Sequence, residues 1–199
     1  MSLELINTFA TLLTVAIIAA TAVAAMVQLR HLRAGNQINA MLAIGEELNA
    51  QHFTDSWRLV WSRLQTTMND PGFRNYTIAI DRGQSTLNEN PAYAELRAAA
   101  VLVANAYEEL GILVKRGIVD KDMFLDRYSG VITTRWTLME AYVALNREAT
   151  GRNSIWENFE YLAVISEDWL RANPSTYPAG LRRMNITNPW PIAAAPATS

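Results

Sequence analysis

The sequence has no cysteine and only two histidines, His31 and His52, among 199 residues. Without thiols there is no cysteine nucleophile, zinc–thiolate site, iron–sulfur cluster or disulfide. This composition suits a reducing compartment, although exported proteins can also lack cysteine. Neither histidine belongs to a Glu-x-x-His pair, which excludes a di-iron carboxylate centre built on two such pairs. Gly-rich phosphate loops, a nucleophile elbow and a metalloprotease helix are missing as well. A formal net charge of -2 leaves no broad basic field for nucleic acid. No segment alternates Val, Ile or Thr with polar residues at period two, so no strand competes with the helices below. The resulting expectation is a non-enzyme with no cofactor, no metal and no identified small-molecule substrate.

Charge is missing from one long stretch. Between Leu5 and Leu29 there is no Asp, Glu, Lys or Arg. About 20 uncharged, mostly apolar residues are enough to cross a bilayer as a helix. Residues 5–29 are therefore expected to form a transmembrane helix, preceded by a short N-terminal end, residues 1–4. A buried helix of a soluble domain and a cleaved signal peptide are the alternatives. Ala20-Thr21-Ala22 and Ala22-Val23-Ala24 resemble cleavage sites. A signal peptide, however, has a basic n-region and an apolar core of roughly 7–15 residues; here Met1-Ser2-Leu3-Glu4 carries no basic residue and the run is longer.

Arg30 and Arg33 follow the run, with no Lys or Arg before it. Basic residues stay on the cytoplasmic side. The expected topology is single-pass in the cytoplasmic (inner) membrane, N-terminus out, C-terminal domain in the cytoplasm. Arg30 and Arg33 are also candidate contacts for anionic lipid head groups. A span without ionisable groups lacks the relay that a transporter or pump needs. Ala16, Ala20 and Ala24 recur every fourth residue. Small residues at that spacing let helices approach closely in lipid, so this stripe is the candidate packing face toward another membrane subunit or a second copy.

Helical periodicity resumes beyond the span, in Ile38, Met41, Leu42 and Leu48, then Phe53, Trp57, Val60, Trp61, Leu64 and Met68. This predicts one long juxtamembrane helix, or a pair hinged at Gly35 within Ala34-Gly35-Asn36, ending at the turn Asn69-Asp70-Pro71-Gly72. The following stretch is poorly periodic, with room for a short helix near Tyr76–Ile80. Asn90-Pro91 opens the next helix, with proline at its first position. Its seam is Leu96, Ala100, Val103, Tyr107, Leu110 and Val114, and Lys115-Arg116-Gly117 ends it. Asp120 caps a helix striped by Leu125, Tyr128, Ile132, Trp136, Met139 and Val143. Ser154-Ile155-Trp156-Glu157 has the form of a capping box, leading into Phe159, Leu162, Ile165 and Trp169. The tryptophans on these stripes are expected in the core. Glu108-Glu109, Asp120/Asp122 and Glu157/Glu160 are expected as caps or solvated faces, and His52 as a surface or partly packed residue.

The fold class is thus all-α: a transmembrane helix continuing into a juxtamembrane helix, then a small antiparallel helical bundle (residues 30–173) and an irregular Pro/Ala-rich tail (174–199). Trp190 is the expected anchor if the tail docks. Three segments, Gln28–Arg33 (QLRHLR), Glu109–Gly117 (ELGILVKRG) and Trp156–Leu162 (WENFEYL), resemble an uncharacterised bacterial family of single-pass, membrane-anchored helical proteins, catalogued as a domain of unknown function. The resemblance runs from about Leu5 to Leu170 and implies architecture alone. Two functional expectations follow. One is an accessory or scaffold subunit bound to the membrane and to protein partners or its own copies. The other is a membrane-linked sensor that signals through a hinge at Gly35.

Overall fold

A computed structural model describes residues 3–84 and 90–190, and all regular structure among them is helical. Six helices follow in order: α1 (Leu3–Asn49), α2 (Gln51–Met68), α3 (Pro71–Asp81), α4 (Pro91–Lys115), α5 (Lys121–Thr150) and α6 (Glu157–Ala172).

Helix α1 has 47 residues, about 70 Å at 1.5 Å per residue. Its N-terminal part is long and apolar enough to cross a membrane. Threonine hydroxyls there are satisfied within the helix: those of Thr8, Thr11, Thr14 and Thr21 each donate to the carbonyl four residues earlier, at 2.8–2.9 Å. Hydrocarbon requires that economy, because it offers no other partner. Ile44 is the one buried residue of α1.

The expected hinge at Gly35 is not a break. The helix passes through Ala34-Gly35-Asn36 uninterrupted. One glycine costs about 1 kcal/mol in a helix interior, too little to open a helix propagating from both sides. The interruption falls at Ala50, whose extended backbone (φ -59°, ψ 144°) separates α1 from α2. There the chain turns so that Phe53, Val60 and Leu64 enter the core.

Helix α3 is longer than the sequence suggested, and it begins at the tetrapeptide read as a turn. Asp70-Pro71 repeats the signature of Asn90-Pro91. Asp70 accepts the Gly72 N–H at 2.8 Å and Asn90 accepts the Ala92 N–H at 3.0 Å, each with proline in the first turn. A turn dipeptide and a helix start look alike until the following residues are seen to pack, and Phe73 and Thr77 are buried.

Helix α4 is central. All six residues of its predicted seam are buried, with α2 on one side and α6 on the other. Helix α2 runs antiparallel to α4: Phe53 at its start meets Tyr107 (ring centroids 6.3 Å apart), while Asp70 just past its end accepts a hydrogen bond from the Tyr93 hydroxyl. Helices α5 and α6 pack closely, and Leu125, Ile132, Met139, Val143, Phe159 and Leu162 are buried as predicted. Trp61 departs from expectation. It is 57% exposed, with its ring 5.6 Å from that of half-buried Trp57, because adjacent positions 60 and 61 cannot both face the core and Val60 does.

Beyond Asn173 the chain is irregular, with Leu181, Met184, Ile186 and Trp190 exposed. Trp190, the expected anchor, is 80% exposed rather than packed into the bundle. The remainder of the tail, 191–199, lies outside the described residues.

Candidate functional site

The site residues read from the sequence all sit on α1 except Trp190. Ala16, Ala20 and Ala24 share one face by their four-residue spacing; they are exposed, as are Arg30, Arg33 and Gly35. Among the described residues none covers this part of α1, so there the alanine stripe and the two arginines are open to whatever surrounds the helix.

Lower on α1, two grooves flank the helix. One, of about 780 Å³, has Ile38, Met41 and Leu42 on one wall and Met123, Asp126 and Arg127 of α5 on the other. The second, of about 990 Å³, lies between Ala40, Ala43 and Ile44 and the α4 residues Val101, Leu110 and Leu113. Ile38 and Leu42, expected to pack, are 52% and 61% exposed at these margins. Helix α1 is therefore seated by Ile44 and by the approach of Gly45, where a Cβ would lie 3.7 Å from the Tyr128 hydroxyl, rather than embedded.

Behind the grooves, α4 grips the start of α6. The expected capping box does not form. Trp156 is the N-cap residue, in a left-handed conformation (φ 53°, ψ 37°), and no local side chain caps the helix. The cap comes from α4 instead. One carboxylate oxygen of Glu108 accepts the Asn158 and Phe159 N–H groups at 2.9 and 3.1 Å, and the other accepts the Asn158 side-chain amide at 2.6 Å. Asn105 accepts the Trp156 indole N–H at 2.8 Å, and the Lys115 ammonium donates to the Asn158 side-chain oxygen at 3.2 Å. Gly111 makes room, since a Cβ there would fall 2.3 Å from the Asn158 carbonyl oxygen. The strain of a tryptophan at positive φ is offset by burial, by this indole hydrogen bond, and by stacking on Tyr142 at 5.9 Å.

This contact joins two of the three segments that carry the family resemblance, Glu109–Gly117 and Trp156–Leu162. Residues 14–169 match the family described as Domain of unknown function (DUF4760). The chain belongs to this family. No curated protein and no solved structure matches it. In this DUF4760 protein the matched region starts inside α1, includes the alanine stripe, both grooves and the α4–α6 clamp, and stops before the tail.

Two further polar features lie inside the DUF4760 bundle. Arg135 is a half-buried cation whose guanidinium carbon sits 4.6 Å from the Trp57 ring centroid, 5.3 Å from that of Phe53 and 5.4 Å from that of Tyr107, and it donates to the Tyr107 hydroxyl. Burial brings its pKa down to about 10, still leaving it charged at neutral pH. Its aromatic surround replaces part of the lost hydration. The second feature is the Asp81–Arg97 ion pair at 2.5 Å, joining α3 to α4. The Tyr142 hydroxyl stands near this pair, its pKa raised by burial first of all. Both features read as structural ties between helices.

Of the acidic groups, Asp120 caps α5 through the Met123 N–H at 2.9 Å, and Glu160 pairs with Arg147 at 2.7 Å. His52 is exposed, 3.1 Å from Glu47. Among the described residues no group of three or more metal-ligating side chains assembles.

Proposed function

We propose that this protein is a non-catalytic, membrane-anchored accessory or scaffold subunit, with α1 crossing the cytoplasmic membrane, its N-terminus outside and the bundle in the cytoplasm. One observation carries the reading. Helix α1 leaves a small-residue stripe uncovered at Ala16, Ala20 and Ala24 and continues unbroken into a helix bordered by two open apolar grooves. Small residues permit close helix contact in lipid, and grooves of this kind accept helices of a partner. The partners are other membrane subunits or further copies of this chain. The orientation follows from Arg30 and Arg33.

The test is extraction in a mild detergent followed by size analysis. An assembly larger than one chain, reduced to the monomer by Ala16→Ile, Ala20→Ile and Ala24→Ile together, is the expected result. A clean monomer with no co-purifying protein overturns the reading.

A second reading, a membrane-linked sensing or signalling regulator, draws on the light seating of α1 and on Gly35 as its weak point, where a glycine lowers the cost of bending an otherwise unbroken helix. Motion of the span relative to the bundle would then carry the signal. Gly35→Ala, which adds a methyl into open space, should alter output with the fold intact; an unchanged phenotype removes that reading.

A further inference from the structure

The corner between α4 and α5, residues 115–121, carries an apolar and basic patch that no described residue covers; its Ile118 also lines the groove between α1 and α4. Ile112, Ile118 and Met123 are 42%, 52% and 44% exposed, and Lys115, Arg116, Lys121 and Arg127 are exposed beside them. The patch is built rather than frayed. Val119 is fully buried, Gly117 takes the positive φ of 66° that the turn demands, and Asp120 is consumed as the cap of α5. Ile118 and Met123 are therefore held outward by an anchored turn.

Its position relative to α1 gives the patch a meaning. Gly45 lies against Tyr128, while Ile38 and Leu42, further toward the span, share a groove with Met123. Moving along α1 toward its apolar part thus means moving along α5 toward its N-terminus and the corner. Ile38 is five positions from Arg33, about 8 Å along a helix. The corner accordingly faces the stretch of α1 that lies about 8–13 Å along the helix from Arg33.

We propose that the α4–α5 corner is a second membrane contact, with Ile118 and Met123 inserted at the head-group boundary and Arg116 and Lys121 on anionic phospholipid. Apolar residues flanked by cations fit an interface in which the lower layer is hydrocarbon and the upper layer is negative. Asp122 and Asp126 offset part of the charge, so the apolar residues hold the corner and the cations set its preference for anionic lipid. The contact adds a second attachment beyond Arg30 and Arg33, and it fixes the tilt of the bundle against the bilayer. The proposal rests on α1 crossing the membrane, and the test separates the two.

The absence of cysteine permits single-site labelling. Full-length Ala20→Cys, Ile118→Cys and Asn153→Cys variants carry an environment-sensitive fluorophore, one chain per nanodisc, in phosphatidylcholine alone or mixed with phosphatidylglycerol. Lipids bearing a nitroxide near the head group or deep in the chain act as quenchers. The expected result is deep quenching at position 20, shallow quenching at 118 and none at 153. Quenching at 118 should be stronger with phosphatidylglycerol and fall at least about twofold in high salt or with Arg116→Gln and Lys121→Gln together. Deep quenching at 20 with a water-exposed label at 118 overturns the corner contact and leaves the anchor standing. No quenching at 20 overturns the anchor itself. A shielded label at 118 that no lipid quenches means protein covers the corner and overturns the proposal, and equal quenching in both lipids overturns the role of anionic head groups.

Discussion

Removing the Glu108 carboxylate tests whether α4 caps α6. In Glu108→Ala, the Asn158 and Phe159 N–H groups and the Asn158 side-chain amide all lose their acceptor. Loss of an N-cap costs about 1 kcal/mol, and each donor left without a partner in a buried setting adds about 1–3 kcal/mol. Glu108 is only half-buried, so water recovers part of that, and the expected destabilisation is about 2–4 kcal/mol. Glu108→Gln keeps a carbonyl for the backbone donors, but it loses the charge that favours a helix N-terminus and sets its own amide against that of Asn158. It should cost about 1–2 kcal/mol. The exposed neighbour gives the control: Glu109→Ala should stay within about 0.5 kcal/mol. Urea unfolding of the detergent-solubilised chain, followed by tryptophan fluorescence, measures all three. Trp156, one of six tryptophans, sits on the clamp and contributes to the signal. If Glu108→Ala unfolds within about 0.5 kcal/mol of the parent, the cap does not hold α6 and the reasoning is wrong.

Two glycines should behave oppositely on substitution. Gly111→Ala drives a Cβ onto the Asn158 carbonyl and should destabilise by about 1–3 kcal/mol despite alanine's better helix propensity, whereas Gly35→Ala should leave stability unchanged or raise it by up to about 1 kcal/mol; thermal melts of both variants decide. Asp70 is held below its usual value of 3.8, first by the Tyr93 hydroxyl and then by the Gly72 N–H. A carboxyl whose folded pKa is depressed stabilises the fold above 3.8 and stops doing so as pH falls through the folded pKa. Tyr93→Phe should therefore lose stability at neutral pH, and its deficit against the parent should narrow on acidification; a constant gap in urea midpoints across that range contradicts this. Asn153 lies on the exposed α5–α6 turn, so Asn153→Cys should react with a membrane-impermeant maleimide only after the membrane is opened. Labelling in intact cells would reverse the proposed orientation.

Much of the architecture was written in local pattern. The seam of α4 and the stripe of α5 repeat at helical spacing with caps at Asn90 and Asp120, and tertiary packing then buried the same residues except Trp136, which is half-buried. The first turns of α3 escaped, although a short helix was expected near Tyr76–Ile80, because Asp70-Pro71 reads equally as a turn and only the packing of Phe73 distinguishes the two. Trp61 escaped because periodicity alone does not choose between neighbours at 60 and 61. The capping box was a false positive: Ser154 and Glu157 have the right spacing, but a carboxylate from α4 reaches the α6 donors first, and a contact across fifty residues leaves no local trace beyond the coincidence of Glu108 and Gly111 one turn apart.

By itself the sequence determined that the chain is helical, that its first helix is uncharged along a membrane's thickness, and that no thiol is available, because each depends on residue type and near-neighbour spacing. Tertiary structure decided where the long helix breaks, which side chain caps α6, and which apolar residues remain outside. Those outcomes turn on competition between distant groups for the same core space and the same hydrogen bonds. For that reason Gly35 gave way to Ala50 as the break, and the corner at Ile118 became visible as a surface only once α1 was set beside it.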